Sequence, residues 1–348
     1  MTTLQTAAAG AAPGPDTDKG ASAEGDARRA RVDVHHHYTA PEWLDWAEKK
    51  DIVHRKKLPP WTRWDVDSAL ALMDGAGIRT SVLTVAMLGR LQEPKLRKES
   101  ARVALQAASD LMGSHPDRFA FYTPVFLDSP ELSSWSLGHG MDELGAVGVS
   151  TRTSAEGLYL GHPSQDRMLA ELNERSAVVS THPMEVPGGD AGLEGVPPFL
   201  CDFLMDTTRA AISLIINGTL DRYPNITFIL PHGGGFLPYI SSRVELFSQH
   251  LTPKVEAARV RDYLHRFYYD TAGPMSPSST PSLLAAVGSS RILYGTDWPP
   301  TPSHLVTGVT APSLDNDPAL DEDQRRCINR DNAHHLLPSL APGRPRQN

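Results

Sequence analysis

Cysteine is almost missing from this 348-residue chain, with Cys201 and Cys327 the only two. They are too few and too isolated for a disulfide framework or a thiolate zinc site, which leads us to expect a reducing cytoplasm. No apolar run approaches the roughly 20 residues of a membrane span, so no membrane partner is expected. Basic blocks are lacking too. With 33 Lys and Arg against 41 Asp and Glu, the formal charge of −8 argues against nucleic acid, whose phosphates call for a basic surface. A composition of 40% hydrophobic and 21% charged residues still allows one large core or two modest ones. Residues 1–30, rich in Ala, Gly and Asp, lack the basic start and apolar stretch of a signal peptide and are expected to be a disordered tail. Residues 341–348 read the same way, leaving 31–340 as the folded unit.

What the chain does have is Arg31-Val32-Asp33-Val34-His35-His36-His37-Tyr38, a β-branched run that stops at a histidine cluster. On an extended strand, side chains two residues apart share a face about 6.7 Å apart. His35 and His37 can therefore turn inward together while His36 turns outward. Two imidazoles from one strand end can each reach a cation at about 2.0–2.1 Å, leaving positions for ligands from elsewhere.

Downstream, strand and helix patterns alternate. Asp65 caps a helical repeat of Val66, Ala69, Leu70, Met73 and Ala76 that ends at Gly77. Further strands are expected at 78–85, 119–126, 146–150, 177–181, 226–230, 267–270 and 291–294, with helical segments between them. A helix is expected over 130–144, a loop over 157–163, and a Gly- and Pro-rich excursion over 184–198. Eight such β/α units point to an α/β fold of one class, a single (β/α)8 TIM-type barrel. Barrels of this kind carry their chemistry at the C-terminal strand ends. Those ends hold His35 and His37 on the first strand, His182 on the fifth, His232 on the sixth and Asp297 on the eighth. Taken singly, each reads as well as a turn or capping residue. Five in barrel register imply three imidazoles and one carboxylate around a divalent cation, with a fourth imidazole free for proton transfer.

The pattern Asp33-x-His35-x-His37, His182-Pro183, His232-Gly233-Gly234-Gly235 and Gly295-x-Asp297-Trp298-Pro299 resembles the amidohydrolase superfamily. It is more narrowly similar to the aminocarboxymuconate-semialdehyde decarboxylase-like branch, and within it to decarboxylases of 6-methylsalicylate type. His115-Pro116-Asp117-Arg118-Phe119, Asp206-Thr207-Thr208-Arg209-Ala210, Arg222-Tyr223-Pro224-Asn225 and Asn332-Ala333 extend the likeness over about 32–337. The resemblance implies that His35, His37, His182 and Asp297 hold one metal ion, zinc with manganese as the alternative. It implies that His232 stands beside the metal as an acid/base, and that Gly233–Gly235 let the backbone approach the ligand. Pro238 is placed to start the next helix. Arg243, about 7–8 Å further along it, is implied to enter a partner subunit's site and bind the substrate carboxylate, which requires a homodimer.

Other residues stay open. His36, His115, His162, His334 and His335 read as structural, with His115 and His162 solvated in loops. Asp270, at the end of the seventh strand, reads equally as support for the site or as a turn. Arg55, Arg63 and Arg90 are available to a substrate carboxylate, with Trp61 and Trp64 as aromatic walls. Spacing does not choose among them; Arg63 and Trp298 are carried forward as substrate contacts. The residues alone permit hydrolysis of a lactone, amide or ester as well as decarboxylation. The resemblance implies nonoxidative decarboxylation of a small aromatic, salicylate-like, or dienoic acid, with Asp297 or His232 supplying the proton. The third alternative, a silent barrel kept for binding, fits poorly with all five positions filled.

Overall fold

The computed structural model describes residues 31–87, 91–184, 194–273 and 275–343. Residues 1–30, Arg90 and 185–193 of the excursion lie outside the described residues, as do 344–348 of the expected C-terminal tail.

Among the described residues, one sheet of eight strands carries the fold, each strand parallel to the next in chain order. The strands are β1 (Arg31–Tyr38), β2 (Ile78–Val85), β3 (Phe119–Pro124), β4 (Gly148–Arg152), β5 (Val178–His182), β6 (Thr227–Leu230), β7 (Tyr268–Asp270) and β8 (Ile292–Leu293). Helices lie between them, as the alternation predicts. After β1 come α1 (Pro41–Lys49) and α2 (Val66–Gly75), and after β2 comes α3 (Pro94–Ser114). They are followed by α4 (Pro130–Leu137), α5 (Asp166–Glu174), α6 (Asp202–Ile216), α7 (Leu237–Ser248), α8 (Ala257–Leu264) and α9 (Ser279–Val287). The architecture is a (β/α)8 barrel. The last strand returns to the first through Val34 N–H to the Tyr294 carbonyl at 3.0 Å, and through a parallel bridge between His36 and Trp298.

Local chemistry explains most of the boundaries. Asp65 caps α2 by accepting from Ser68 N, and Glu93 caps α3 by accepting from Lys95 N and Leu96 N. Pro41, Pro94 and Pro130 each open a helix where an amide N–H would have no partner. Two expectations change. The helix expected over 130–144 is α-helical only to Leu137 and then widens into a π-helical turn, Gly138–Glu143. A Cβ at Gly140 would run into the Thr123 side chain of β3, so the turn comes against the barrel only with glycine there. The loop expected over 157–163 begins as a small hairpin, Ser154–Ala155 against Leu158–Tyr159. Its tip residues Glu156 and Gly157 both have positive φ, as a tight primed turn requires.

Burial falls into two layers. The outer core packs helices on the barrel wall, with Trp43, Leu105, Phe119, Phe121 and Phe228 among its fully buried members. The inner core holds Val32, Val34, Val82, Tyr122, Ile229 and Tyr268, closed at one end by Ala333, Leu337 and Leu340. One irregularity decides where the histidines point. β1 takes three steps from Asp33 to His36 while β2 takes two from Ser81 to Leu83, a one-residue bulge. Strict alternation would put Asp33, His35 and His37 on the face opposite Val32 and Val34. The bulge instead turns His35 and His37 to the same inner side as the two valines. Among the described residues no helix is long and apolar enough to cross a membrane.

Candidate metal centre

Five side chains expected at the strand ends meet in one place. His35 Nε2 lies 3.2 Å from His37 Nε2 and 3.3 Å from Asp297 Oδ1, and His37 Nε2 lies 2.9 Å from the same oxygen. The His182 ring centre is 5.3 Å from that of His35 and 4.7 Å from that of His37. His232 stands on the other side, its Nε2 3.6 Å from Asp297 Oδ2. Ligand atoms of His35, His182, His232 and Asp297 all fall within 4.8 Å of one another. His37 and His232 thus occupy opposite oxygens of one carboxylate. Donors arranged tetrahedrally at about 2.1 Å from a cation stand about 3.4 Å apart, so the spacings around His35 match such a set.

Two of the imidazoles are aimed from behind. His35 Nδ1 donates to Asp270 Oδ2 at 2.8 Å, and His182 Nδ1 to the Pro183 carbonyl at 2.7 Å, which leaves both Nε2 atoms facing the cluster. Asp270 Oδ1 also accepts from the amides of His232 at 2.8 Å and Ala272 at 3.0 Å. This resolves the open reading of Asp270: one buried carboxylate orients a ring on β1 and fixes the backbone that carries His232. Asp206, fully buried on α6, accepts from Met184 N at 3.2 Å and from the Thr153 hydroxyl, tethering the chain just past His182. Thr208 Oγ1, two residues on, accepts from Phe236 N at 2.9 Å. The sequence signal for this pair is a run of three polar residues, Asp206-Thr207-Thr208, all of them buried within the helix.

The electrostatics are those of an electron-pair-donating cluster. Burial, opposed by Asp297, lowers the His37 pKa, and burial with the neighbouring imidazoles holds His182 well below its ordinary value. Burial alone would raise Asp297, but hydrogen bonds from His232, His35 and His37 prevail and hold it well below the carboxylate range. Burial opposes the His35 proton as well, yet Asp270 and then Asp297 hold that imidazole well above its usual pKa. Two imidazoles are therefore kept neutral and the carboxylate ionised, the states in which they ligate a cation. A cation would displace the His35 proton from Nε2.

Several expectations are corrected. Gly233, Gly234 and Gly235 all have positive φ, and a Cβ on them would meet protein rather than an open pocket: Met275, the Tyr269 ring at 2.6 Å, and the Leu204 carbonyl oxygen. Their role is to let a left-handed turn after β6 lie flat on α6 and β7. Trp64 is buried behind β1, with its indole N–H donating to His36 Nε2 at 3.2 Å, so it is no wall of the mouth. Trp298 is likewise turned to His36, ring centres 4.9 Å apart, and donates to Ser303 Oγ at 2.9 Å, which holds the Asp297 turn against β1. Arg55 is engaged with Asp45 and Glu48 of α1, which takes its charge away from the site. Arg63 is exposed, Trp61 is half-buried and Arg90 lies outside the described residues. His115 and His162 are half-buried rather than solvated, His115 against Phe119 and His162 as a cap accepting from Ser164 N. Arg243 is exposed on α7, its guanidinium 4.9 Å above the Phe247 ring.

A parallel barrel with imidazoles and a carboxylate gathered at its C-terminal strand ends is of the metal-binding hydrolase and lyase class. The amidohydrolase family matches residues 32–338, and the chain belongs to that family. It is 29% identical over 328 residues to the 6-methylsalicylic acid decarboxylase of Penicillium expansum, covering 89% of this chain and 97% of that one. It is 27% identical over 298 residues to the gamma-resorcylate decarboxylase of a Rhizobium species, covering 78% and 88%. Among solved structures, a dihydroxybenzoic acid decarboxylase from a Polaromonas species, with bound manganese and the inhibitor 2-nitroresorcinol, shares the fold at a TM-score of 0.74 and 24% identity, covering 90% of this chain and 98% of that one.

Two variants test the geometry. Gly235→Ala, at φ 63°, is expected to destabilise the protein by about 1–3 kcal/mol or more, read as a fall in the urea midpoint. Asp270→Asn is expected to weaken divalent-metal binding by about 10–100-fold, measured by competition with a chromophoric chelator.

Proposed function

We propose that this chain is a metal-dependent nonoxidative decarboxylase of small aromatic acids bearing a hydroxyl beside the carboxylate. The observation that carries the reading is the placement of His37 and His232 on opposite oxygens of Asp297. It is supported by relatives that are themselves decarboxylases of 6-methylsalicylate and gamma-resorcylate. His35, His37, His182 and Asp297 are the ligands in this proposal and His232 is the acid/base. A donor set of three nitrogens and one oxygen suits zinc, with manganese as the alternative that the Polaromonas neighbour contains. When bound, the ion supplies a Lewis acid that holds the substrate's oxygens and draws electron density from the ring.

The chain's own residues would do the rest. Asp297, held ionised, accepts the ortho-hydroxyl proton and delivers it to the ring carbon bearing the carboxylate. That carbon–carboxylate bond then breaks, its electron pair returns to the ring, and CO2 leaves. His232 donates to the phenolate oxygen and returns a solvent proton to it. No oxidant enters and the proton count closes.

Arg243 would bind the substrate carboxylate of a partner subunit in a homodimer. Tyr239, Arg243, Leu246 and Phe247 form one stripe of α7, and Tyr239 is 81% exposed, Leu246 57% and Phe247 49%. An apolar stripe around one guanidinium is a surface suited to burial against a second copy. Arg63, exposed at the end of a short helical turn before α2, is the second cation assigned to the substrate. The two unpaired cysteines fit a cytoplasmic setting.

Metal-loaded protein incubated with salicylate-type acids should release CO2 with loss of the carboxylate's ultraviolet signature. Lactone opening with no CO2 from any acid would replace this reading by hydrolysis. His232→Ala should retain metal while turnover falls by about 10²–10⁴-fold, and loss of the metal would instead make His232 a ligand. Mixing Arg243→Ala with His182→Ala protein should restore part of the activity that each lacks alone, since one site in the mixed dimer then has both residues.

A further inference from the structure

We infer that Asp33 is a positioning residue that sets the geometry of the metal centre by clamping the seam where the barrel closes. The inference rests on the metal-binding reading above. A bulge leaves the extra residue's amide without a ladder partner, and a buried N–H needs one. Asp33 is fully buried and provides it: Oδ1 accepts from His35 N at 3.1 Å. The same oxygen accepts from Thr296 N at 3.0 Å, across the seam and next to Asp297. Oδ2 accepts from Thr296 Oγ1 at 2.8 Å and, more weakly, from Ser81 Oγ at 3.4 Å. His36 Nδ1, also 3.4 Å away, is near enough for attraction but is not aligned as a hydrogen bond.

The clamp joins the two segments that carry three of the proposed ligands. One oxygen atom holds the amide of His35 and the amide preceding Asp297, so the two side chains cannot move apart without breaking a buried charge-assisted bond. The seam beside it is made by Asp297 N to the His35 carbonyl at 2.9 Å and His37 N to the Trp298 carbonyl at 2.7 Å. Thr296 Oγ1 also accepts from Trp298 N at 3.1 Å, which extends the clamp through the turn. Asp297 sits at φ 58°, a conformation that an aspartate keeps only when its neighbours fix it. Without the clamp, β1 could lose its bulge and return to plain alternation, which would carry His35 and His37 to the outer face.

Cobalt(II) titration of the apoprotein tests this, with affinity and the visible absorption of the bound ion as readouts. Asp33→Ala should bind cobalt at least about tenfold more weakly, with a shifted spectrum. Asp33→Asn should recover most of the affinity, because its one carbonyl oxygen still accepts both amides while the Thr296 hydroxyl turns to the His35 carbonyl, 3.3 Å away. Thr296→Ala, which removes the hydroxyl tie and leaves the buried carboxylate, should shift the spectrum in the same direction and keeps the test open if Asp33→Ala does not fold. Wild-type affinity and spectrum in Asp33→Ala, or in Thr296→Ala if that is the folded variant, would overturn the clamp. Asn as impaired as Ala would overturn it too, because negative charge rather than the amide geometry would then be what matters. A wild-type chain that binds no cobalt would refute the metal-binding reading itself, an outcome distinct from these.

Discussion

Everything in this structure answers to the cost of crowding four imidazoles and a carboxylate into one buried volume. Ring nitrogens about 3 Å apart share few protons among them, and burial removes the water that would otherwise satisfy the rest. Unassisted, such a cluster would swing its rings outward into solvent. It is held because several of its groups are gripped from behind: His35 by Asp270 of β7, His182 by the carbonyl of the adjoining Pro183, and the Asp297 turn by hydrogen bonds to β1. Two of these grips reach across the barrel, from β7 to β1 and from β1 to the turn after β8, so the site depends on the barrel's closure.

That requirement shows in the strands. β7 and β8 are short because their chains leave the ladder early to build the site. Tyr294 N donates to the Ile328 carbonyl rather than to β7, and Tyr294 O accepts from β1. His232 and Asp297, the two non-glycine residues of the site with positive φ, stand where β6 and β8 end. Local strain of this kind persists only where the surroundings over-determine it, and here the surroundings are Asp270, Asp33 and the seam.

The parts of the fold legible in sequence were those set by period and punctuation. Alternating patterns, Pro at helix starts and the Asp65 cap placed most strands and helices within a few residues, and barrel register pointed to the five side chains that meet. What periodicity could not show was a change of phase. Nothing in Val32-Asp33-Val34-His35 announces that the strand gains a residue, yet that gain decides whether the histidines face inward. The wide turn after α4 is hidden for a similar reason, since its glycine lies against the side chain of Thr123 on another element. Trp64, expected as an aromatic wall, and Trp298, expected as a substrate contact, instead pack on His36 in the layer behind β1. Contacts made at long range leave no local trace in composition.

Charge balance ties the proposed chemistry to the proposed dimer. With a divalent cation among neutral imidazoles, the carboxylates Asp270 and Asp297 offset the charge of the ion, and Asp33 lies buried at the seam beside them. An incoming carboxylate then adds a buried negative charge, which calls for cations with planar, two-point geometry, the role proposed for Arg243 and Arg63. Arg55 is already held by Asp45 and Glu48. Arg243 is kept outside its own barrel, stacked on Phe247 amid an apolar stripe. In the proposed dimer, a guanidinium in that position would meet the need by crossing to another copy, where burying the stripe would also strip water from the charge and strengthen its hold on the substrate. In that dimer the stripe and the substrate would be buried together, and dimer formation would be part of substrate recognition.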